Sequence, residues 1–240
     1  KAIKKSNKKE SFINLGDIYS KTDIPKAIRF YIQACDFNFD IPYLRLADLC
    51  VINNGVINKK GADYYYEKAL KINKNLDTYR QIYNYYLNAR LECSEEFVIE
   101  CLIALKEFYQ IGLIYYNRND LDVAKEYFLK ASKKGNSHAQ NYLGIIYFNE
   151  ERKKGLLSDN SQSLKYFKKA AKDKNNFIAQ YNLGLIYYIH CETKSYFKAF
   201  QLFFNTQEKL AKSNVKLGQI YENAINIEKA IYFYEKALEL

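Results

Sequence analysis

The stretch AQNYLGIIYFN, from Ala139 to Asn149, is restated forty residues later as AQYNLGLIYYI, from Ala179 to Ile189. Each copy holds one glycine inside a run of large apolar and aromatic residues. The spacing of Leu, Gly and Tyr fits one face of a helix whose middle carries no side chain. Working outward, the same phrase recurs with a small residue as its marker: Gly16 in FINLGDIY, Ala47 in YLRLADLC, Gly112 in FYQIGLIYY, Gly144, Gly184 and Gly218 in NVKLGQIY. In YRQIYNYY the marker position is filled by Tyr83. Successive markers are 31, 36, 29, 32, 40 and 34 residues apart, a period in the thirties with connections of variable length.

A second phrase follows most markers and holds two alanines seven apart: Ala27 and Ala34, Ala62 and Ala69, Ala124 and Ala131, Ala230 and Ala237. Seven residues are two helical turns, so each pair lies on one face. Each unit therefore reads as a helix A with a small centre and a helix B with two alanines, which lets the backbones approach closely. Pro25 and Pro42 sit where helices start. Asp120 and the cluster Ser158-Asp159-Asn160 are expected N-caps, and Gly135 an expected C-terminal stop.

The expected fold is all-α: a right-handed superhelical solenoid of about seven antiparallel helix-turn-helix repeats, at about 10–38, 39–74, 75–106, 107–135, 136–175, 176–211 and 212–240. They are read as one repeat domain over 10–240, behind a frayed basic leader at 1–9. The third unit is irregular, because Ala104 and Gly112 are too close for an ordinary connection. A continuous helix across that junction, or residues missing there, would explain it.

Composition agrees. With 9 glycines and 2 prolines in 240 residues, there is too little turn chemistry for a strand-rich fold. No run of 18 apolar residues is present, so no membrane span is expected. The start, KAIKKSNKKE, has no apolar segment behind its lysines, so no signal peptide is expected, and the missing initiator Met suggests a fragment or processed form. Of the net charge of +10, half comes from Lys1, Lys4, Lys5, Lys8 and Lys9. The body is mildly basic, which suits an acidic partner without implying nucleic acid. The five cysteines are odd in number and form no CxxC pair, which favours buried thiols and an intracellular, cytoplasmic setting.

The phrases KASKKGNSHAQNYLGIIY, from Lys130 to Tyr147, and KAAKDKNNFIAQYNLGLIY, from Lys169 to Tyr187, resemble the Sel1-like repeat family, a relative of tetratricopeptide repeats. The last unit, LGQIYENAINIEKAIYFYEKALEL, is similar to both. The resemblance is sharp from about residue 107, and units two and three depart from it by lacking the Leu-Gly pair. One secreted branch of that family carries a cysteine pair in each repeat and is associated with hydrolytic activity. Here Cys35 has no partner cysteine near Tyr43, which disfavours that branch.

Chemistry is sparse. His138 and His190 are the two histidines, and His190-Cys191-Glu192 is the densest cluster of catalytic residue types. Neither shows the spacing of a nucleophile with its base, so no catalytic residue is expected. No metal-ligand spacing and no phosphate loop occurs, so no cofactor or metal is expected. The basic runs Arg152–Gly155 and Lys165–Lys174 are diluted by Glu150, Glu151, Asp159 and Asp173 and read as a solvated face, which disfavours a nucleic-acid-binding repeat.

What remains is the surface formed by the A helices, the concave groove in the related solenoids. Five residues past the marker stand Asn88, Asn117, Asn149 and Asn223; one residue earlier stand Tyr116, Phe148, Tyr188 and Glu222. Asn141, Ile145 and Tyr181 vary between the copies on the same helices. Asparagine can donate to and accept from an extended peptide backbone, and aromatics supply area. The plainer reading is that these asparagines cap helix A in the left-handed conformation. The tyrosines three past the marker, Tyr19, Tyr115, Tyr147, Tyr187 and Tyr221, read as inter-helix core.

The expected function is thus a non-enzymatic protein-binding module, a scaffold or adaptor, with a protein or peptide partner on the concave groove or the edge of the solenoid. An immunity protein that neutralises a toxin or effector belongs to the same class. The module is expected to be a monomer or weak oligomer.

Overall fold

The computed structural model describes residues 2–52, 61–89, 95–155, 158, 161–189 and 193–240. The described residues form fourteen helices and no strand. They are α1 (Ala2–Tyr19), α2 (Ile24–Cys35), α3 (Ile41–Ile52), α4 (Ala62–Ile72), α5 (Leu76–Ala89), α6 (Glu95–Leu105), α7 (Phe108–Asn117), α8 (Leu121–Lys133), α9 (Ser137–Lys153), α10 (Gln162–Ala170), α11 (Phe177–Ile189), α12 (Thr193–Thr206), α13 (Ala211–Asn223) and α14 (Ile227–Leu238). Odd-numbered helices are the A helices and even-numbered ones the B helices of seven hairpins. The chain divides into two compact units, Lys1–Lys106 and Glu107–Leu240. Residues 2–9, set apart from sequence as a leader, are the first turns of α1.

One packing rule builds each hairpin, and it explains the marker. A methyl group added to Gly16, Gly112, Gly144, Gly184 or Gly218 would meet a B-helix ring at 2.3, 2.5, 2.7, 2.8 and 2.6 Å: Tyr31, Phe128, Phe167, Phe203 and Tyr234. The glycine is thus the seat of an aromatic ring, and backbone meets ring face with no side chain between. In four of these five hairpins the B-helix residue before that ring stacks on the tyrosine three past the marker. Tyr19 meets Phe30 at 5.5 Å and 11°, Tyr115 meets Tyr127 at 5.8 Å and 2°, Tyr147 meets Tyr166 at 5.4 Å and 4°, and Tyr221 meets Phe233 at 5.4 Å and 5°. Such pairs contribute roughly 0.5–1.5 kcal/mol each beyond area burial. The paired alanines face inward: Ala27, Ala34, Ala69 and Ala124 are fully buried.

The hydroxyls of the ring residues add a second rule. Tyr31 Oη donates to Asp17, one past its marker, at 2.7 Å, and Tyr66 Oη donates to Asp48 in the same relation at 3.2 Å. Where the ring is Phe128, Phe167 or Phe203, the residue one past the marker is Leu113, Ile145 or Leu185. Tyr234 finds its acceptor a turn later, on Glu222, at 2.6 Å. Burial and the Asp17 carboxylate push the Tyr31 phenol well above the ordinary tyrosine range.

Helix ends follow local rules. Asp23, Asp120, Asn136 and Asn226 each accept from the backbone N–H three residues on. The cap of α10 is Ser161, accepting from Leu164 N at 3.3 Å, and not the Ser158-Asp159-Asn160 cluster expected from sequence, of which Asp159 and Asn160 lie outside the described residues. Gly135, at φ 86°, ends the α8 turn as expected. No continuous helix crosses the third junction. Lys106 adopts φ 58° and breaks the chain between α6 and α7.

A polar clamp ties α9 to the α10–α11 turn. Ser137 Oγ donates to Asp173 Oδ2 at 2.7 Å, Asn175 N donates to Asp173 Oδ1 at 3.0 Å, and Asn176 Nδ2 donates to Ser137 Oγ at 3.2 Å. The Ser137 bond, then the Asn175 N–H, holds the Asp173 carboxyl below its ordinary value. A depressed carboxyl contributes stability above its unfolded pKa of about 3.9 and loses it as pH falls through the lower folded value. The melting temperature is therefore expected to fall on acidification below about pH 4, and Asp173→Asn to flatten that part of the profile. A variant profile that still tracks the parent's would remove the clamp from the account.

Cys50 and Cys101 are buried thiols and Cys35 is half-buried. Tyr43, at the position where a partner cysteine was sought, hydrogen-bonds the Cys35 thiol, and burial raises that thiol to about 11. Cys93 and Cys191 lie outside the described residues.

Candidate functional site

In the second unit the A helices α7, α9, α11 and α13 lie in succession, and side chains bridge each neighbouring pair. Tyr116 meets Tyr142 at 4.9 Å and 72°, Asn182 Nδ2 donates to Asn141 Oδ1 at 2.9 Å, and Asn223 Nδ2 reaches Tyr188 Oη at 3.5 Å. Along this face runs a line of half-buried pairs, Leu113 with Tyr116, Ile145 with Phe148, and Leu185 with Tyr188. Each leans on the cores below: Ile145 and Phe148 on the Leu164–Phe167 cluster, Leu185 and Tyr188 on the Phe203 cluster.

The residues chosen from sequence separate into three groups. Asn117, Asn149, Glu222 and Asn223 are exposed, and the Asn117 and Asn149 amides make no hydrogen bond with described residues. Tyr116, Ile145, Phe148 and Tyr188 are half-buried with part of each side chain at the surface. Asn141 and Tyr181 are corrections. Asn141 is 5% exposed, with its acceptor oxygen already taken by Asn182, and Tyr181 is 8% exposed against Phe203 at 5.5 Å. Asn141 thereby joins α9 to α11 of the next hairpin, and Tyr181 packs within its own hairpin on α12. Asn88 belongs to α5, but its side chain lies outside the described residues.

The capping reading of the asparagines does not hold. The left-handed residues after α7 and α13 are Asn119 and Ile225, at φ 61° and 58°. Asn117 and Asn223 are the last helical residues before them, and Asn149 lies inside α9, which runs on to Lys153.

Two lysines, not singled out from sequence, flank the line on α13. Lys212 Nζ lies 4.4 Å from the Tyr181 ring centroid, and Lys216 Nζ lies 5.5 Å from that of Tyr188. Burial lowers the Lys212 ammonium below its ordinary value, and among the described residues no carboxylate is in ion-pairing reach of it.

The first unit presents a different A-helix face. Asp17, Arg45 and Asp48 form a charged row, with Arg45 Nε 3.1 Å from Asp17. Beside it the first turns of α3 and α5 enclose a cavity of about 230 Å³ lined by Asp40, Arg45, Asp77, Thr78 and Gln81 among others. Asp40 accepts there from Asn73 at 2.9 Å, and Asp77 pairs with Arg80 at 3.5 Å, so these carboxylates are engaged internally.

Among the described residues no catalytic set is assembled at either face. His138 is exposed with its ring 5.9 Å from Tyr109, and His190-Cys191-Glu192 lies outside the described residues. Among the described residues no group of three His, Cys, Asp or Glu could hold a metal, and no helix is long and apolar enough to cross a membrane.

The Sel1 repeat profile matches residues 13–36, 137–175 and 178–203, and a tetratricopeptide repeat profile matches 108–133 and 211–240. A search of curated proteins finds no match. Among solved structures, c5321, a protective antigen of uropathogenic Escherichia coli strains with an SLR fold, is similar at 19% identity and a TM-score of 0.58, covering 96% of this chain and 53% of that one. Human IFIT1, solved as a dimer with PPP-AAAA, is similar at 17% identity and 0.51, covering 90% of this chain and 54% of that one. A Sel1 repeat protein from Oxalobacter formigenes, at 19% identity and 0.46, covers 95% of this chain and 84% of that one. The chain spans about half the length of c5321 and of IFIT1, and at these identities the likeness is one of fold. With the ring-on-glycine hairpin present in five copies and both profiles falling on those copies, the chain belongs to the Sel1-like, tetratricopeptide-like family of helical repeat proteins.

Proposed function

We propose that the chain is a non-enzymatic protein–protein interaction module, a scaffold or adaptor, that holds a protein or peptide partner along the A-helix face of the second unit. Repeat folds of this kind commonly mediate protein–protein contact. The observation that carries the reading is the line Leu113/Tyr116, Ile145/Phe148, Leu185/Tyr188, rimmed by Asn117 and Asn149, whose amides make no hydrogen bond among the described residues. Apolar and aromatic side chains supply contact area, and unspent amides pair with a backbone of any sequence. Lys212 and Lys216 at the α13 end favour a partner with carboxylates, because a partly desolvated ammonium over a ring gains most from an incoming anion.

The test is affinity capture with the tagged chain, cross-linked and read by mass spectrometry. It is repeated with the exposed set Asn149→Ala, Lys212→Ala and Asn223→Ala, and with Lys168→Ala and Lys172→Ala as a control on α10 and the turn after it. The A-face set is expected to weaken partner binding by at least about tenfold and the control to leave it unchanged. Equal retention by both sets overturns the placement. Capture of nucleic acid with a steep salt dependence, or turnover of a substrate without a partner, overturns the function class.

A further inference from the structure

Two B helices of the second unit differ in charge from the B helices on either side of them. Neither α10 (QSLKYFKKA) nor α12 (TKSYFKAFQLFFNT) contains an acidic residue, whereas α8 carries Asp122 and Glu126 and α14 carries Glu228 and Glu235. On α10, Lys165, Lys168 and Lys169 are exposed, and Lys165 stands three and four residues before the other two, so they share one stripe. Lys172, also exposed, continues that stripe into the turn. Among the described residues none of these four lysines pairs with a carboxylate.

On α12 the exposed stripe carries rings. Phe197 and Phe204 are 62% and 49% exposed. They are two turns apart, about 10 Å along one face of the helix. Phe204 stacks on Phe200 at 6.0 Å and 18°, and Phe200 packs edge-on against Tyr221 at 5.9 Å, so the exposed ring is braced from below. Lys198, beside Phe197, is exposed and has its Nζ 5.4 Å from the Tyr187 ring centroid. Further helices, α13 and α14, follow α12, so these rings do not lie at an end of the chain.

Register places the two stripes on one face. Lys168 directly follows Phe167, the ring seated on Gly144, and Phe204 directly follows Phe203, the ring seated on Gly184. They occupy the same place on successive hairpins. The nearby described acids are engaged elsewhere: Glu151 accepts from Gln162 and Ser163, Asp173 from Ser137 and Asn175, and Glu208 pairs with Lys236. Asp159 and Glu192, in the segments before α10 and α12, lie outside the described residues.

Lysines without acids, beside rings that stand in water, complement the surface of an anionic bilayer. Anionic headgroups attract each lysine, and phenylalanine leaves water for the boundary between headgroups and acyl chains. A nucleic-acid strand is instead held in a basic groove with rings along it. Here the cations are lysines, without the guanidinium fork that grips a phosphate through two bonds. We propose that the α10–α12 face of the second unit is a peripheral membrane-binding surface for bilayers containing anionic phospholipid. It does not rest on the partner reading, which uses the A helices, and it leaves that face free.

The experiment is flotation of residues 1–240 with vesicles of phosphatidylcholine, alone or with about one third phosphatidylserine. Binding is expected only with phosphatidylserine and is expected to weaken in high salt. Lys165→Gln with Lys168→Gln is expected to weaken it by at least about tenfold. Phe197→Ser with Phe204→Ser is expected to weaken it by at least about fivefold. Arg29→Gln with Lys71→Gln, which removes the same charge from the first unit, is expected to change it by less than about twofold. All six sites are exposed, and circular dichroism confirms that each variant is folded. Failure of the parent to float with phosphatidylserine overturns the proposal, as does unchanged binding by the α10 or the α12 variant, or an equal loss in the first-unit variant. Tighter, salt-sensitive binding of single-stranded RNA than of vesicles also overturns it, and assigns the face to nucleic acid.

Discussion

Replacing Phe128 with alanine is expected to destabilise the second unit by about 3–5 kcal/mol. The ring is fully buried and lies on Gly112, where an added Cβ would come within 2.5 Å of it. It stacks on Tyr142 at 5.0 Å and 15°, and meets Tyr109 and Tyr116 at 6.1 and 6.3 Å. Truncation leaves a void walled by a glycine backbone and three rings. None of these can collapse inward without giving up its own stacking, so both the transfer loss and the cavity term are felt. Urea denaturation followed by circular dichroism measures the loss, and Tyr232→Ala, on a ring 54% exposed, is the comparison expected to cost far less. A Phe128→Ala cost under about 1 kcal/mol would mean that the ring-on-glycine seat does not organise the hairpin.

Adding one oxygen at the same place tests the second packing rule. Phe128→Tyr is expected to cost about 1–3 kcal/mol, because the hydroxyl enters a site whose residue one past the marker is Leu113 and offers no acceptor. In the first unit the equivalent hydroxyls of Tyr31 and Tyr66 end on Asp17 and Asp48. Leu113→Asp alone is expected to be destabilising as well, through lost contact with the Phe128 cluster. The double variant is expected to recover at least about 1 kcal/mol relative to the sum of the singles. Strict additivity in this double-mutant cycle would show that the tyrosine–carboxylate pairing of the first unit is incidental.

The hairpins were legible because their grammar is local. The glycine or alanine marker, the alanines seven apart and the tyrosine three past the marker recur often enough to be aligned by eye, and each does in the structure what its spacing implied. The pairing of Tyr31 with Asp17 and of Phe167 with Ile145 was also present in the chain, but its meaning needs the contact between helices that joins them. The third junction was misjudged for a related reason. A left-handed Lys106 lets α6 stop and α7 begin within two residues, and nothing in the identity of a lysine announces that conformation. Ile225 makes the same point, occupying the left-handed site that Asn119 fills three hairpins earlier.

The candidate site was legible only in part. Position relative to the marker located Tyr116, Phe148, Tyr188, Asn117, Asn149 and Asn223 on the A-helix face. It could not separate them from Asn141 and Tyr181, because a helix has neighbours on two sides and spacing within one copy does not say which flank meets the next. Lys212 and Lys216 were lost in a background of lysines, since their distinction lies in the rings beneath them and, among the described residues, in having no acid in ion-pairing reach.

By itself, then, the sequence determined the secondary structure, the hairpin unit and its repetition, because these depend on side-chain size at fixed helical intervals. The tertiary structure alone decided which polar residues are spent between repeats and which stay at the surface. Burial is a property of what lies across an interface, and no interval along one chain encodes it.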